Sequence, residues 1–243
     1  MSIRDFEIVD DLNTPAEEAY KVLRTNIQFS ALDGNLKTVA VTSTFAGEGK
    51  TTTSVNIAIS IAKDGKKVLY VDADMRKSNS ARDASRRAAS GLSNYLSHMD
   101  GFDDIVRETN FPNLYMVSCG IRPPNAAELL GTKRFEEFLR EAAEKFDIVI
   151  IDTPPLGSVI DCAIIANHTD GVIIVIKRKA VDYHKVLRVK QQLEKANARI
   201  LGVVLNKIDK SDYKTYYKYY DYHNSKKTKP GKIFGTTKKT NSR

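Results

Sequence analysis

Ala40-Val41-Thr42-Ser43-Thr44-Phe45-Ala46-Gly47-Glu48-Gly49-Lys50-Thr51-Thr52-Thr53 is a glycine turn with an apolar strand before it and a helix after it. The strand runs from Thr38 to Thr42, and the helix carries Val55, Ile57, Ala58, Ile59, Ile61 and Ala62 as its apolar residues. Strand, glycine loop and helix in that order form the context of a phosphate-binding loop, the Walker A motif. Gly47 and Gly49 let backbone N–H groups curl around phosphate oxygens, and the helix N-terminus adds partial positive charge. Lys50 is placed to reach the outer phosphates and the Thr51 hydroxyl to ligate magnesium. Gly47, Glu48, Gly49, Lys50, Thr51 and Thr52 are therefore the expected nucleotide-binding residues. Thr44 stands where the first glycine of the usual pattern would be.

Outward from the loop, buried-type strands alternate with amphipathic helices, which predicts an α/β fold with a doubly wound, mostly parallel sheet. Thr14-Pro15-Ala16-Glu17 reads as a capping box with proline at the first helical position, opening a helix that ends near residues 28 to 29. Further strands are expected at Val68 to Asp72, Leu114 to Ser118, Ile148 to Asp152, Val172 to Ile176 and Ile200 to Leu205. Short helical pieces fall between Gly91 and Val106. Longer helices are expected at Asn125 to Leu130, Thr132 to Phe146, Asp161 to His168 and Asp182 to Asn197. Sheets of this kind bind ligands beyond the carboxyl ends of their strands.

Two acidic motifs sit at such ends. Val68-Leu69-Tyr70-Val71-Asp72-Ala73-Asp74-Met75-Arg76 ends an apolar strand with two carboxylates at a spacing that puts both on one side if the extended geometry persists. Ile148-Val149-Ile150-Ile151-Asp152-Thr153-Pro154-Pro155 ends with a single acid, the usual form of a Walker B magnesium ligand. Magnesium takes octahedral oxygen ligands and keeps several waters, so Thr51, Asp72, Asp152 and the phosphates would suffice. Any one of these acids alone reads equally well as a strand-end turn residue. Three beside a phosphate loop point to magnesium and catalysis.

The chain has 243 residues, 42% of them apolar, enough for one core without disulfides or metals. Its two cysteines, Cys119 and Cys162, follow no metal spacing, nor do the four scattered histidines. No apolar run is long enough to cross a bilayer, and the N-terminus lacks a signal core, so a cytoplasmic protein is expected. The net charge of +8 has one origin. Residues 207 to 243 hold eleven Lys and Arg against three Asp, which leaves residues 1 to 206 neutral. That argues against a basic nucleic-acid-reading face on the folded body. The expected organisation is a domain at 1–210 and a flexible basic tail at 211–243.

That tail opens with Tyr213, Tyr216, Tyr217, Tyr219, Tyr220 and Tyr222, six of the eleven tyrosines within ten residues. Neither helical nor strand periodicity explains them. A nucleic-acid-stacking segment, a low-complexity tail and a set of phosphorylation acceptors are the competing readings. A phosphoryl-transfer site on the same chain favours the acceptors.

At this point residues 13 to 222 resemble the bacterial tyrosine kinases encoded with capsule and exopolysaccharide machinery, in the Gram-positive form where the kinase is a separate chain. Thr42 through Thr52 is similar to that family's Walker A, Val71 through Arg76 to its additional A-prime motif, and Ile150 through Pro155 to its Walker B. The tyrosine cluster stands in the family's place. The resemblance implies ATP as donor, Mg2+ as cofactor and the tail tyrosines as acceptors. Lys50, Asp72, Asp74 and Asp152 are then the catalytic set, with Asp72 or Asp74 orienting the nucleophile. An Asn after the last strand, Asn206, belongs to the nucleotide site. It also implies self-assembly, as a ring, through a motif matched by Glu18, Lys21 and Arg24, where Lys21 lacks the planar fork of the family's arginine. The same three residues also read as an ordinary charged helix face. The implied partners are a membrane polysaccharide co-polymerase that activates the kinase from its cytoplasmic end, and a tyrosine phosphatase. The chain would then sit at the inner face of the membrane through its partner.

Two other classes compete. Partitioning and septum-positioning ATPases carry a signature lysine five residues before the Walker A lysine, and here that residue is Phe45. Asn206-Lys207-Ile208-Asp209 spells a guanine-reading pattern, a match of four residues. For transfer to tyrosine, whose unperturbed pKa is about 10, a carboxylate must take or hold the proton. The first tail tyrosines lie 8 to 17 residues past Leu205, an extended reach of roughly 25 to 60 Å that includes a neighbouring subunit.

Overall fold

A computed structural model describes residues 8, 12, 14–30, 36–76, 90–178 and 182–208. The chain divides into two units, Met1–Lys207 and Ile208–Arg243. The tyrosine cluster, the polar stretch at 77–89 and most of the segment before residue 14 lie outside the described residues.

The elements run α1 (Thr14–Ser30), β1 (Thr38–Ser43), α2 (Lys50–Lys63), β2 (Val68–Asp72), α3 (Leu92–Leu96), α4 (Phe102–Ile105), β3 (Arg107–Glu108), β4 (Leu114–Val117), α5 (Ala126–Leu130), α6 (Lys133–Lys145), β5 (Ile148–Asp152), α7 (Asp161–Asn167), β6 (Gly171–Lys177), α8 (Tyr183–Lys195) and β7 (Ile200–Asn206). They build one seven-stranded sheet in the order β3-β4-β2-β5-β1-β6-β7. All neighbours pair in parallel except the two-residue β3, which runs antiparallel to β4. The architecture is the mostly parallel α/β sheet expected from the sequence.

Successive residues of a strand face opposite sides of the sheet, and here both sides are covered. Leu69, Val71, Val149, Ile151, Val172 and Ile174 enter the core beneath α3 to α8, with Phe135, Phe138, Leu139 and Leu193. Val68, Tyr70, Ile148, Ile150, Ile173 and Val175 enter the core beneath α1 and α2, with Ile27, Ile57, Ala58 and Ile61. That is why the central strands read as unbroken apolar runs instead of alternating patterns. On the first side Tyr95, Phe102, Phe135 and Phe138 pack as an aromatic cluster, ring centroids 5.5 to 6.4 Å apart.

Register sets the site. Val41 of β1 and Asp72 of β2 both pair with Asp152 of β5, so β2 and β5 end on one rung and β1 runs two residues beyond it into the phosphate loop. The opposite end of β1 is pinned by Asp170, just before β6. Its carboxylate accepts the N–H groups of Lys37 and Thr38 at 2.8 and 2.7 Å and the Thr38 hydroxyl at 2.9 Å. The Asp170 N–H in turn donates to Thr38 Oγ1 at 2.9 Å.

Replacing Asp170 with alanine leaves three donors at the start of β1 without their charged acceptor. A loss of about 2 to 3 kcal/mol is expected, read as a lower urea midpoint with an unchanged slope.

Candidate nucleotide-binding and catalytic site

The loop between β1 and α2 turns through two left-handed glycines, Gly47 at φ 79° and Gly49 at φ 93°. Gly49 is required twice over. Its backbone is in a region that L side chains rarely adopt, and a Cβ there would stand 2.1 Å from Asn206 Nδ2. Glu48 is buried, and its carboxylate accepts the Phe45 N–H at 2.8 Å and the Lys177 N–H at 3.4 Å. Its side chain thus braces the loop against the end of β6, which leaves its backbone N–H as the group available for a phosphate. Thr44, at the place of the missing glycine, is buried. Gly157 makes room for it, since a Cβ on Gly157 would meet the Thr44 carbonyl oxygen at 2.2 Å.

Asp152 has no solvent exposure and is the centre of the site. Thr51 Oγ1 donates to Asp152 Oδ2 at 2.6 Å, Ser54 Oγ to Oδ1 at 3.3 Å and the Tyr70 hydroxyl to Oδ2 at 3.4 Å. Burial, followed by the Asp152 charge, holds the Tyr70 phenol well above the ordinary tyrosine range, so it serves as a donor. Lys50 Nζ lies 3.6 Å from Asp152 Oδ1 and 3.3 Å from Asp74 Oδ2, and all three side chains are buried.

Extended geometry, the condition on which Asp72 and Asp74 would face one side, does not persist past Asp72. β2 ends at Asp72, and the Asp72 carboxylate accepts the Asp74 N–H at 3.1 Å, bending the chain out of extended geometry. Asp74 therefore turns inward to Lys50, whereas Asp72 stays half-buried on the rung beside Asp152. Arg76 donates to both oxygens of Asp161 at 2.6 and 2.9 Å, so it secures the buried N-terminus of α7.

The donor set suits a hard, oxygen-seeking cation. Thr51 Oγ1 and the Asp152 carboxylate converge, and Asp72 is on the adjacent rung. Among the described residues no group of three or more His, Cys, Asp and Glu side chains is arranged to hold a metal. Magnesium needs no such cage, because it is usually bound by one or two carboxylates together with substrate phosphates.

The structure thus brings Lys50, Thr51, Asp74 and Asp152 into direct contact, with Gly47 to Gly49 forming the loop. Thr52 lies on the exposed first turn of α2, where its carbonyl accepts Asn56 Nδ2 at 2.9 Å. Asn206 donates from Nδ2 to the Glu48 carbonyl at 3.0 Å. On α1, Glu18 and Lys21 pair with each other at 2.6 Å on the exposed face. Arg24 instead turns toward α2, donating to the Ser60 carbonyl at 2.8 Å and lying 3.3 Å from Asp64. Ser54, Tyr70, Gly157 and Asp161 are contributors that sequence reasoning missed. Ser54 had a usable signal, four residues beyond Lys50 on one helix face. Tyr70 had another, the one phenol in an aliphatic strand that ends in an acid.

Fold and site together define a P-loop nucleotide-binding protein, and residues 36–207 match the AAA domain family. Over 211 residues the chain is 42% identical to tyrosine-protein kinase CpsD of Streptococcus agalactiae serotype III, an alignment covering 84% of this chain and 89% of that one. The crystal structure of the chimerical protein CapA2B2 superposes with a TM-score of 0.76 at 31% identity, covering 83% of this chain and 88% of that one. The kinase domain of Escherichia coli tyrosine kinase ETK does so with a TM-score of 0.74 at 30% identity, covering 80% and 76%. The chain belongs to the bacterial tyrosine-protein kinase family. The septum site-determining protein MinD of Pyrococcus horikoshii, at 23% identity and a TM-score of 0.60 over 73% of each chain, shares the fold alone.

Two outcomes follow from this geometry. Gly49→Ala is expected to weaken nucleotide binding roughly 100-fold or more, because a left-handed alanine costs about 1 to 2 kcal/mol and Asn206 must also move; titration calorimetry with ATP and magnesium measures it. Burial pushes the Cys162 thiol, which sits beneath Thr42 and Thr153, up to about 11. Alkylation needs the thiolate. Iodoacetamide at pH 8 should therefore label the partly exposed Cys119 in the native protein and reach Cys162 only after denaturation.

Proposed function

We propose that this kinase transfers the γ-phosphoryl group of ATP to its own tail tyrosines, Tyr213, Tyr216, Tyr217, Tyr219, Tyr220 and Tyr222. The observation that carries the reading is the convergence of Thr51, Lys50 and Asp74 on the buried Asp152 at the root of the phosphate loop.

Thr51 and Asp152 would hold magnesium, which supplies neutralisation of phosphate charge when bound. Lys50 and the loop N–H groups stabilise negative charge on the transferring group, since this chemistry depends on positioning and electrostatics. Asp74 keeps Lys50 aimed, and the rim carboxylate of Asp72 takes the proton of the incoming tyrosine. The phenol oxygen forms the new bond to the γ-phosphorus as the bond to the β-bridging oxygen breaks, leaving ADP and a phosphotyrosine. A carboxylate fits that role because the phenol is protonated at neutral pH.

The family resemblance and the pattern of the chain support a setting. The kinase acts at the inner face of the cell membrane, activated there by a membrane polysaccharide co-polymerase, and regulates capsular or exopolysaccharide synthesis. Among the described residues no helix is long and apolar enough to cross a membrane, in keeping with recruitment by a partner. Copies assemble through the exposed α1 face that bears Glu18 and Lys21, with Arg24 turned to α2 behind it, and transfer runs between neighbours. Each phosphate adds about 1.5 to 2 negative charges, whose repulsion loosens the assembly, and a tyrosine phosphatase resets it.

Site-resolved mass spectrometry after incubation with ATP and magnesium tests this, with and without a cytoplasmic peptide of the membrane partner. Phosphate on Tyr213 to Tyr222 is expected, absent in Lys50→Met and reduced about 100-fold or more in Asp72→Asn, the usual scale of a lost acid–base group. ATP hydrolysis without phosphotyrosine under either condition would overturn the reading in favour of a nucleotide-switch ATPase.

A further inference from the structure

The end of β7 holds the phosphate loop by two consecutive residues. Asn206 Nδ2 donates to the Glu48 carbonyl at 3.0 Å, and Lys207 Nζ donates to the Gly47 carbonyl at 2.8 Å. The two residues also fix each other, since the Lys207 N–H donates to Asn206 Oδ1 at 2.7 Å. That bond decides which way the Asn206 amide points and leaves its NH2 for the loop. Lys207 adopts left-handed backbone at φ 55°, uncommon for a lysine, and its side chain reaches the Gly47 carbonyl of the loop.

The consequence comes from peptide geometry. No peptide bond here is cis, and across a planar trans peptide the carbonyl and the following N–H point in opposite directions. Drawing the Gly47 carbonyl toward Lys207 turns the Glu48 N–H away from β7. Drawing the Glu48 carbonyl toward Asn206 does the same for the Gly49 N–H. Two neighbouring N–H groups held in one direction form an anion-binding concavity, at the point where the glycine-rich turn meets the N-terminus of α2. The Glu48 side chain braces the same loop from β6, through the Lys177 N–H. The carbonyls are thus oriented from β7 and the side chain from β6.

We propose that Asn206 and Lys207 are positioning residues, a latch that shapes the phosphate loop for its ligand without touching the transferred group. The proposal rests on the nucleotide-binding reading above and adds the device that presets the loop. It also gives the Asn206-Lys207 dipeptide a role that requires no guanine. A latch of this kind acts on the loop that all the phosphates share, so it affects ATP and ADP alike. A lysine contacting the γ-phosphate would affect ATP alone.

The test uses the full chain with Lys207→Met, Lys207→Arg and Asn206→Ala, in two measurements. Hydrogen exchange of the amides at 46–49 is followed without nucleotide, and calorimetric titration uses Mg-ATP and Mg-ADP. Lys207→Met is expected to speed exchange at the loop and to weaken both nucleotides by about tenfold, the loss of one charged hydrogen bond. The KM for ATP rises accordingly, the rate recovers at saturating ATP, and Lys207→Arg restores most of the affinity. Unchanged loop exchange and unchanged affinities in Lys207→Met overturn the latch. So does a loss confined to ATP, or a fall in kcat at unchanged KM, either of which makes Lys207 a catalytic contact. A wild-type chain that binds neither nucleotide would overturn the nucleotide reading instead, and the exchange measurement would still decide the latch.

Discussion

A carboxylate with no solvent exposure must be compensated where it stands, and Asp152 is such a carboxylate. The penalty for removing an ion from water amounts to several kcal/mol even after relaxation, and a buried charge is tolerated when partners and hydrogen bonds surround it. Here the partners come from two directions. α2 supplies Lys50, Thr51 and Ser54, and β2 supplies Tyr70. Satisfying one charge therefore seats the first turn of α2 over the end of β5. The chain must then pass from Ser43 to Lys50 through a tight loop, and left-handed glycines at 47 and 49 are what make that turn available. The geometry that serves phosphate binding is, seen from the protein's side, also the geometry that surrounds the buried Asp152 carboxylate with partners.

The sheet was legible because both of its faces are covered. Continuous apolar runs such as Ile148 to Ile151 allow few alternatives once flanked by turns and amphipathic helices. β3 was not legible, since Arg107 and Glu108 carry no apolar signal and join the sheet only because the chain passes antiparallel to β4 there. β6 begins one residue earlier than its apolar run, at Gly171. Pairing with Val39 recruits that glycine, and its lack of a side chain lets Leu201 pack against it, at 2.5 Å from where a Cβ would be. Tertiary contacts set such boundaries, and local pattern does not contain them.

The site divides in the same way. The loop, the lysine and the strand-end acids are local patterns and could be read directly. The division of labour between Asp72 and Asp74 could not, because it depends on one hydrogen bond from the Asp74 N–H that ends the extended geometry. The pairing of Arg76 with Asp161 joins positions 85 residues apart, and nothing in either segment announces the other. Asn206 and Lys207 are an intermediate case. Their pattern was visible, but its obvious meaning concerned a nucleobase, and the meaning supported by the distances concerns the shape of a loop.

Lys207 is also the last residue of the first compact unit. The proposed acceptors follow it by six to fifteen residues, a leash of roughly 20 to 50 Å when extended. Tethering on that scale sustains effective concentrations in the millimolar range when the span is matched. An acceptor delivered in this way needs almost no intrinsic affinity for the enzyme. A groove that reads the sequence around each tyrosine becomes unnecessary, and leash length can rank the six hydroxyls where sequence does not. Under the proposed transfer, selectivity becomes a property of covalent connectivity and assembly, and the same tyrosines on a detached peptide lose the feature that would mark them as acceptors.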